Sequence, residues 1–265
     1  MEPTPTPATA EQIAEGAAAD AAELDRKASG ADFRANLKTV AERGWLDREA
    51  PRLRAILERP TIGPLGLAPC AISGRPAVFL PRGRVAMMVA PGGTGKTQAI
   101  LQLAVAVAGG GSWFNTFPVA RDAVGPVALI LGEEDEASMH RRLHRIVKHL
   151  RLGEDPEDPD GKARVAANLH AMSVQGVRCD LVDAEGNASD RFDALQAALE
   201  AIGAELEGGW SLVILDPASR FLGPDAETDN AAATRWIEAI ERLTRVPGNP
   251  TVLFCHHTNK GALGG

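Results

Sequence analysis

Continuous apolar runs alternate along this chain with segments whose apolar positions recur every three or four residues, which predicts strands interleaved with helices. Apolar runs leading into Ala90, at Pro126 to Leu131, at Leu212 to Leu215 and at Thr251 to Cys255 read as buried strands, with a weaker one near Leu169 to Val174. Helical spacing falls between them: from Gly95 to about Ala108, Asp135 to Leu150, Arg191 to Glu207, and about Asn230 to Arg245. Gly109-Gly110-Gly111 supplies a stop after the first of these helices. Such alternation predicts an α/β fold, a mainly parallel sheet with helices on both faces.

Upstream the pattern changes. Residues 1–30 are rich in Ala, Glu, Pro and Thr and nearly devoid of large apolar side chains, so a frayed, Ala-rich helical arm is expected. Between Ala31 and Glu58, Phe33, Leu37, Val40, Trp45, Leu46, Leu53, Ile56 and Leu57 recur at roughly helical spacing. Gly44 interrupts them and Asp47 offers a cap, so two short helices are predicted. Residues 60–76 are rich in proline and glycine and read as a linker. The expected organisation is therefore an N-terminal helical arm (1–59), a linker (60–76) and an α/β domain (77–265).

Composition narrows the class without naming a function. In 265 residues, 45% apolar and 24% charged content is that of a globular protein with room for one full core. No run reaches the ~18 apolar residues of a membrane span and no signal peptide opens the chain, so a cytoplasmic protein without a membrane partner is expected. Cys70, Cys179 and Cys255 are odd in number and widely spaced, which argues for buried thiols over disulfides or a zinc site. A net charge of −7 disfavours a protein that coats nucleic acid with its whole surface, yet leaves room for a local basic patch.

The most specific chemistry lies at Ala90-Pro91-Gly92-Gly93-Thr94-Gly95-Lys96-Thr97-Gln98, where a strand enters a glycine-rich turn and then a helix. Glycines let backbone N–H groups curl around a polyphosphate, Lys96 reaches its terminal oxygens, and Thr97 offers a hydroxyl to Mg²⁺. Ala90 stands where the phosphate-loop pattern has glycine, and Pro91 holds it extended. Ligands of parallel sheets sit at the carboxyl ends of strands. Gly132-Glu133-Glu134-Asp135, Asp216-Pro217 and His256-His257-Thr258-Asn259-Lys260 all follow strands and so fall on that rim. Asp216, closing an apolar strand, is the candidate magnesium carboxylate. Glu134 is the candidate base for an attacking water, with Asp135 available as a helix cap. Arg220 and Phe221 follow Asp216 and by themselves read as a packed Phe beside a surface Arg. The stretch from His140 to Arg151 reads mainly as a solvated basic helix face.

Taken in order, Ala-Pro-Gly-Gly-Thr-Gly-Lys-Thr, Gly-Glu-Glu-Asp, Leu-Asp-Pro-Ala-Ser-Arg-Phe and His-His-Thr-Asn-Lys-Gly-Ala resemble the RepA-type helicases and related AAA-annotated ATPases of the RecA/DnaB superfamily. The likeness runs from about Phe79 to Gly265 and omits the first sixty residues. It implies a RecA-like core assembled into a homo-oligomeric ring, usually a hexamer, with ATP and Mg²⁺ at subunit interfaces and single-stranded DNA through the centre. By position it implies that Lys96 and Thr97 bind phosphate and metal, that Glu134 activates water, that Asp216 is the Walker B acid, and that His257 senses the γ-phosphate. His256 would alternate to the other face, and Lys260 would face DNA or a neighbouring nucleotide. The loop after Asp216 would border the central channel, with Arg220 on a DNA phosphate and Phe221 stacked on a base.

The family continues past the position of Gly265 into further strands and an arginine finger, so part of the core is expected to be missing, leaving an open sheet edge. Without a finger, ATP binding is better supported than efficient turnover. A recombinase-like or regulatory ATPase that binds DNA without unwinding it is the alternative, and a small-molecule kinase on the same loop is a third reading.

Overall fold

The structure is a computed structural model, and it describes residues 35–47, 80, 82–154, 156, 158–183, 185–223, 226 and 229–258. The expected arm, the linker, Cys70 and Lys260 lie outside the described residues.

The elements follow in chain order: β1 (Lys38–Thr39), β2 (Val85–Pro91), α1 (Lys96–Gly109), β3 (Ser112–Trp113), β4 (Phe117–Pro118), β5 (Val127–Leu131), α2 (Glu136–His149), α3 (Gly161–Asn168), β6 (Leu169–Ser173), α4 (Asp190–Glu205), β7 (Leu212–Asp216), α5 (Asn230–Leu243) and β8 (Thr251–Thr258). One six-stranded sheet runs β1-β6-β5-β7-β8-β2. All pairs in it are parallel except β1 with β6. This is the predicted α/β fold, consistent with a RecA-like P-loop domain.

Strand alternation sorts the core into two layers. Leu129 and Leu131 of β5, Ile214 of β7 and Cys255 of β8 face α1, α2 and α3. Ala128 and Ile130, Val213 and Leu215, and Phe254 face α4 and α5. The central strands β5 and β7 are buried at every position, as runs covered on both faces must be. Helix α1 is so apolar that it buries nearly its whole circumference after the first turn. At its end the space for a Gly109 side chain is already taken by Val165 of α3, which a Cβ would approach to 2.7 Å.

Several expectations need correction. Among the described part of 31–58, residues 35–36 are helical, but Lys38–Thr39 is a strand on β6 and residues 40–47 are turns, where the spacing predicts two helices. Leu37, Val40, Trp45 and Leu46 are buried there, so their spacing serves a chain that folds over α2 and β6, with Gly44 turning at φ 59. Helix α3 and the β3–β4 hairpin were not foreseen; both are short, and too few residues carry a period. Strand β8 also runs on to Thr258, so His256 and His257 belong to the strand itself.

Candidate functional site

The loop between β2 and α1 leaves Gly92, Gly93, Thr94 and Gly95 exposed. Gly93 and Gly95 have φ of 78° and 92°, a left-handed backbone that glycine adopts without strain. Gly95 caps α1 with no side-chain hydrogen bond, and the first turn carries no acidic residue. The free N–H groups and the positive end of the helix therefore open on the loop, a combination that favours an anion. Thr94 Oγ1 braces the turn by donating to the Pro91 carbonyl at 2.8 Å.

Lys96 is only 6% exposed. Its ammonium donates to the carbonyls of Ala90 at 2.6 Å and Pro91 at 3.0 Å, and lies 3.1 Å from His257 Nδ1. Ala90 pairs with His257 across β2 and β8, so sheet register sets the imidazole beside the loop. His256, one residue earlier, alternates to the opposite face. Thr97 Oγ1 donates to Asp216 Oδ2 at 3.1 Å. The structure thus brings Lys96, Thr97, Asp216 and His257 together from α1, β7 and β8. Gln98 follows in the first turn of α1, half-buried.

Burial pushes the Asp216 carboxyl above its ordinary range; hydrogen bonds from Thr97 and Cys255 oppose this, and the charge of Glu133 adds to it. A buried carboxylate strained by a like charge has reason to take a cation. Among the described residues no group of three or more His, Cys, Asp and Glu could hold a metal by itself. A hydroxyl and one carboxylate beside a phosphate loop nevertheless suit Mg²⁺, which is commonly completed by water and substrate phosphates.

At the end of β5 the two glutamates part company. Glu134 is half-buried and pairs with Arg142 of α2 at 3.0 Å, while its carbonyl accepts from Ser173 Oγ at 2.6 Å. Burial raises its pKa, with Arg142 opposing and Asp135 and Asp216 adding to the rise. Glu133 is exposed, and its charge reaches Asp216. Asp135 caps α2 by accepting from Ser138 N at 2.6 Å.

Other candidates fall elsewhere. Phe221 is fully buried, its carbonyl accepting from Trp236 Nε1, so it packs in the core and is not a platform for a base. Arg220 is half-buried and lies over Gly132, where a Cβ would come 2.5 Å from its Cγ. His140 is buried against Trp45, with ring centroids 5.1 Å apart. Exposed Lys148, His149 and Arg151 sit at the C-terminal end of α2, a whole helix length from the rim. Two contacts escaped sequence reasoning: Arg142 on Glu134, and Cys255 beside Asp216. Cys255 could have been found by parity, since it shares a strand face with His257. A cavity of about 210 Å³ opens between the end of β6 and the start of α2, lined in part by Arg43, Glu136 and Gln175, away from the phosphate loop.

No helix among the described residues is long and apolar enough to cross a membrane. A family model described as an AAA domain matches residues 73–262, well over half of the chain, and spans every element from β2 to β8.

Proposed function

The chain belongs to the AAA-domain family of P-loop ATPases, and from that membership we propose that it is the ATP-hydrolysing motor core of a RepA-type DNA helicase. The observation that carries the nucleotide site is the convergence of Lys96, Thr97, Asp216 and His257 on one glycine-rich turn. The four sequence motifs in their order support the narrower helicase reading.

In this reading the loop N–H groups from Gly92 to Gly95 hold the β- and γ-phosphates, and Lys96 leaves the Ala90 and Pro91 carbonyls to meet them. Thr97 and Asp216 would hold Mg²⁺, which when bound would neutralise charge on the transferring phosphoryl group. His257, already beside Lys96, donates to the γ-phosphate and registers its loss. A carboxylate at the end of β5 orients and deprotonates water. The sequence singles out Glu134; its pairing with Arg142 favours Glu133 as a second reading, because that neighbour is exposed and acts on Asp216. Six copies would form a ring around single-stranded DNA, with Arg220 at the rim contacting phosphate.

The test is ATP hydrolysis at several protein concentrations, with and without single-stranded DNA, against Lys96→Ala as background. Turnover rising with both concentration and DNA is expected. Nucleotide binding with a flat, background rate would restrict this chain to a binding core, and turnover indifferent to DNA would favour a regulatory ATPase.

A further inference from the structure

Asp216 is held from two sides. Leu215 of β7 pairs with Phe254 of β8, so the next register position sets Asp216 beside Cys255. Both side chains point to the α1 face: Leu212 and Ile214 precede Asp216 on it, and Leu253 precedes Cys255. Cys255 is wholly buried and Asp216 is 6% exposed. The Cys255 thiol acts on the carboxylate as a hydrogen-bond donor, and from the opposite element Thr97 Oγ1 donates at 3.1 Å. A clamp has something to resist here, because Glu133 bears a like charge that acts on Asp216.

We propose that Cys255 is a positioning residue whose S–H fixes the Asp216 carboxylate toward Thr97, ready for the magnesium of a bound nucleotide. This rests on the reading of Thr97 and Asp216 as the metal-holding pair. The thiol is wholly buried and acts through Asp216 alone. A thiol is a weak donor, but at a buried carboxylate even a weak donor counts, because no solvent replaces it.

The test titrates Mg²⁺ against binding of a fluorescent ADP analogue to the full chain and to Cys255→Ser, Cys255→Ala and Cys255→Val, with thermal denaturation of each without ligand. Ser keeps a donor; Ala and Val remove it, and Val keeps the site filled. Ala and Val should raise the half-saturating Mg²⁺ about three- to tenfold, with metal-free binding unchanged, while Ser stays within about twofold of the wild type. Equal midpoints in all four proteins, or a Ser variant shifted as far as Ala, would overturn the proposal. Wild-type binding without any Mg²⁺ dependence, matched by a silent Thr97→Ala, would overturn the metal-pair reading and this inference with it. A wild type that responds to Mg²⁺ while Ala and Val follow it sinks the inference alone.

Discussion

Glu133 and Glu134 are adjacent, yet the chain gives them opposite surroundings. Glu134 is 15% exposed at its side chain; Arg142 meets its Oε1, but Oε2 is buried without a hydrogen-bond partner and burial still raises the pKa. Glu133 stands in solvent with its charge felt by Asp216. A general base must be free to meet a water, and loss of one typically costs about 10²–10⁴-fold. Glu134→Gln is therefore expected to cut single-turnover ATP hydrolysis by about two orders of magnitude, and Glu133→Gln by less than about tenfold. The reverse ranking would assign the base to Glu133, the exposed neighbour. Sequence reasoning brought both residues to the correct rim, because a strand that ends in Gly-Glu-Glu-Asp can put its acids nowhere else. It singled out Glu134 as the base but not its contact with Arg142, which is eight positions further on and meets Glu134 only once α2 folds back over β5.

Among the elements, those with a full period were legible: α1, α2, α4 and α5 lie within about two residues of their predicted limits, because each buries a stripe several turns long. Two-residue β1 had no such signal. It is a strand because the edge of β6 offers hydrogen bonds and because Trp45 stacks on His140 while Arg43 pairs with Glu136. His170 of β6 shows what this edge costs. Its ring is buried against Trp210, with centroids 4.8 Å apart, and burial pushes its pKa down. The unfolded chain takes the proton near pH ~6.5, and the folded chain does so only at lower pH. Stability is thus complete above that value and is lost as pH falls toward the folded-state pKa. The urea midpoint of the wild type should drop more steeply between about pH 7 and 5 than that of His170→Leu; parallel profiles would remove His170 from the acid response.

Over the molecule as a whole, the sheet puts the phosphate loop on an outer strand. Among the described residues β2 pairs only with β8, and Met87 and Val89 are 55% and 42% exposed on the face away from α1. An apolar edge that no described strand covers invites pairing with another chain. Met87→Lys should lower light scattering of concentrated protein on standing while leaving nucleotide affinity within about twofold; unchanged scattering would show that this edge does not drive association. What the sequence by itself determined was local: the glycine-rich turn, the acids and histidines that end strands, and the alternation of β and α that sends all of them to one rim. Short-range sterics and hydrophobic period encode those features. Only the tertiary structure decided that Ala90 and His257 share a register, that Asp216 lies between Thr97 and Cys255, that Phe221 is core, and that Arg142 holds Glu134. Each of these joins residues far apart in the chain, and such contacts are fixed by strand order, register and helix docking, which no local pattern contains.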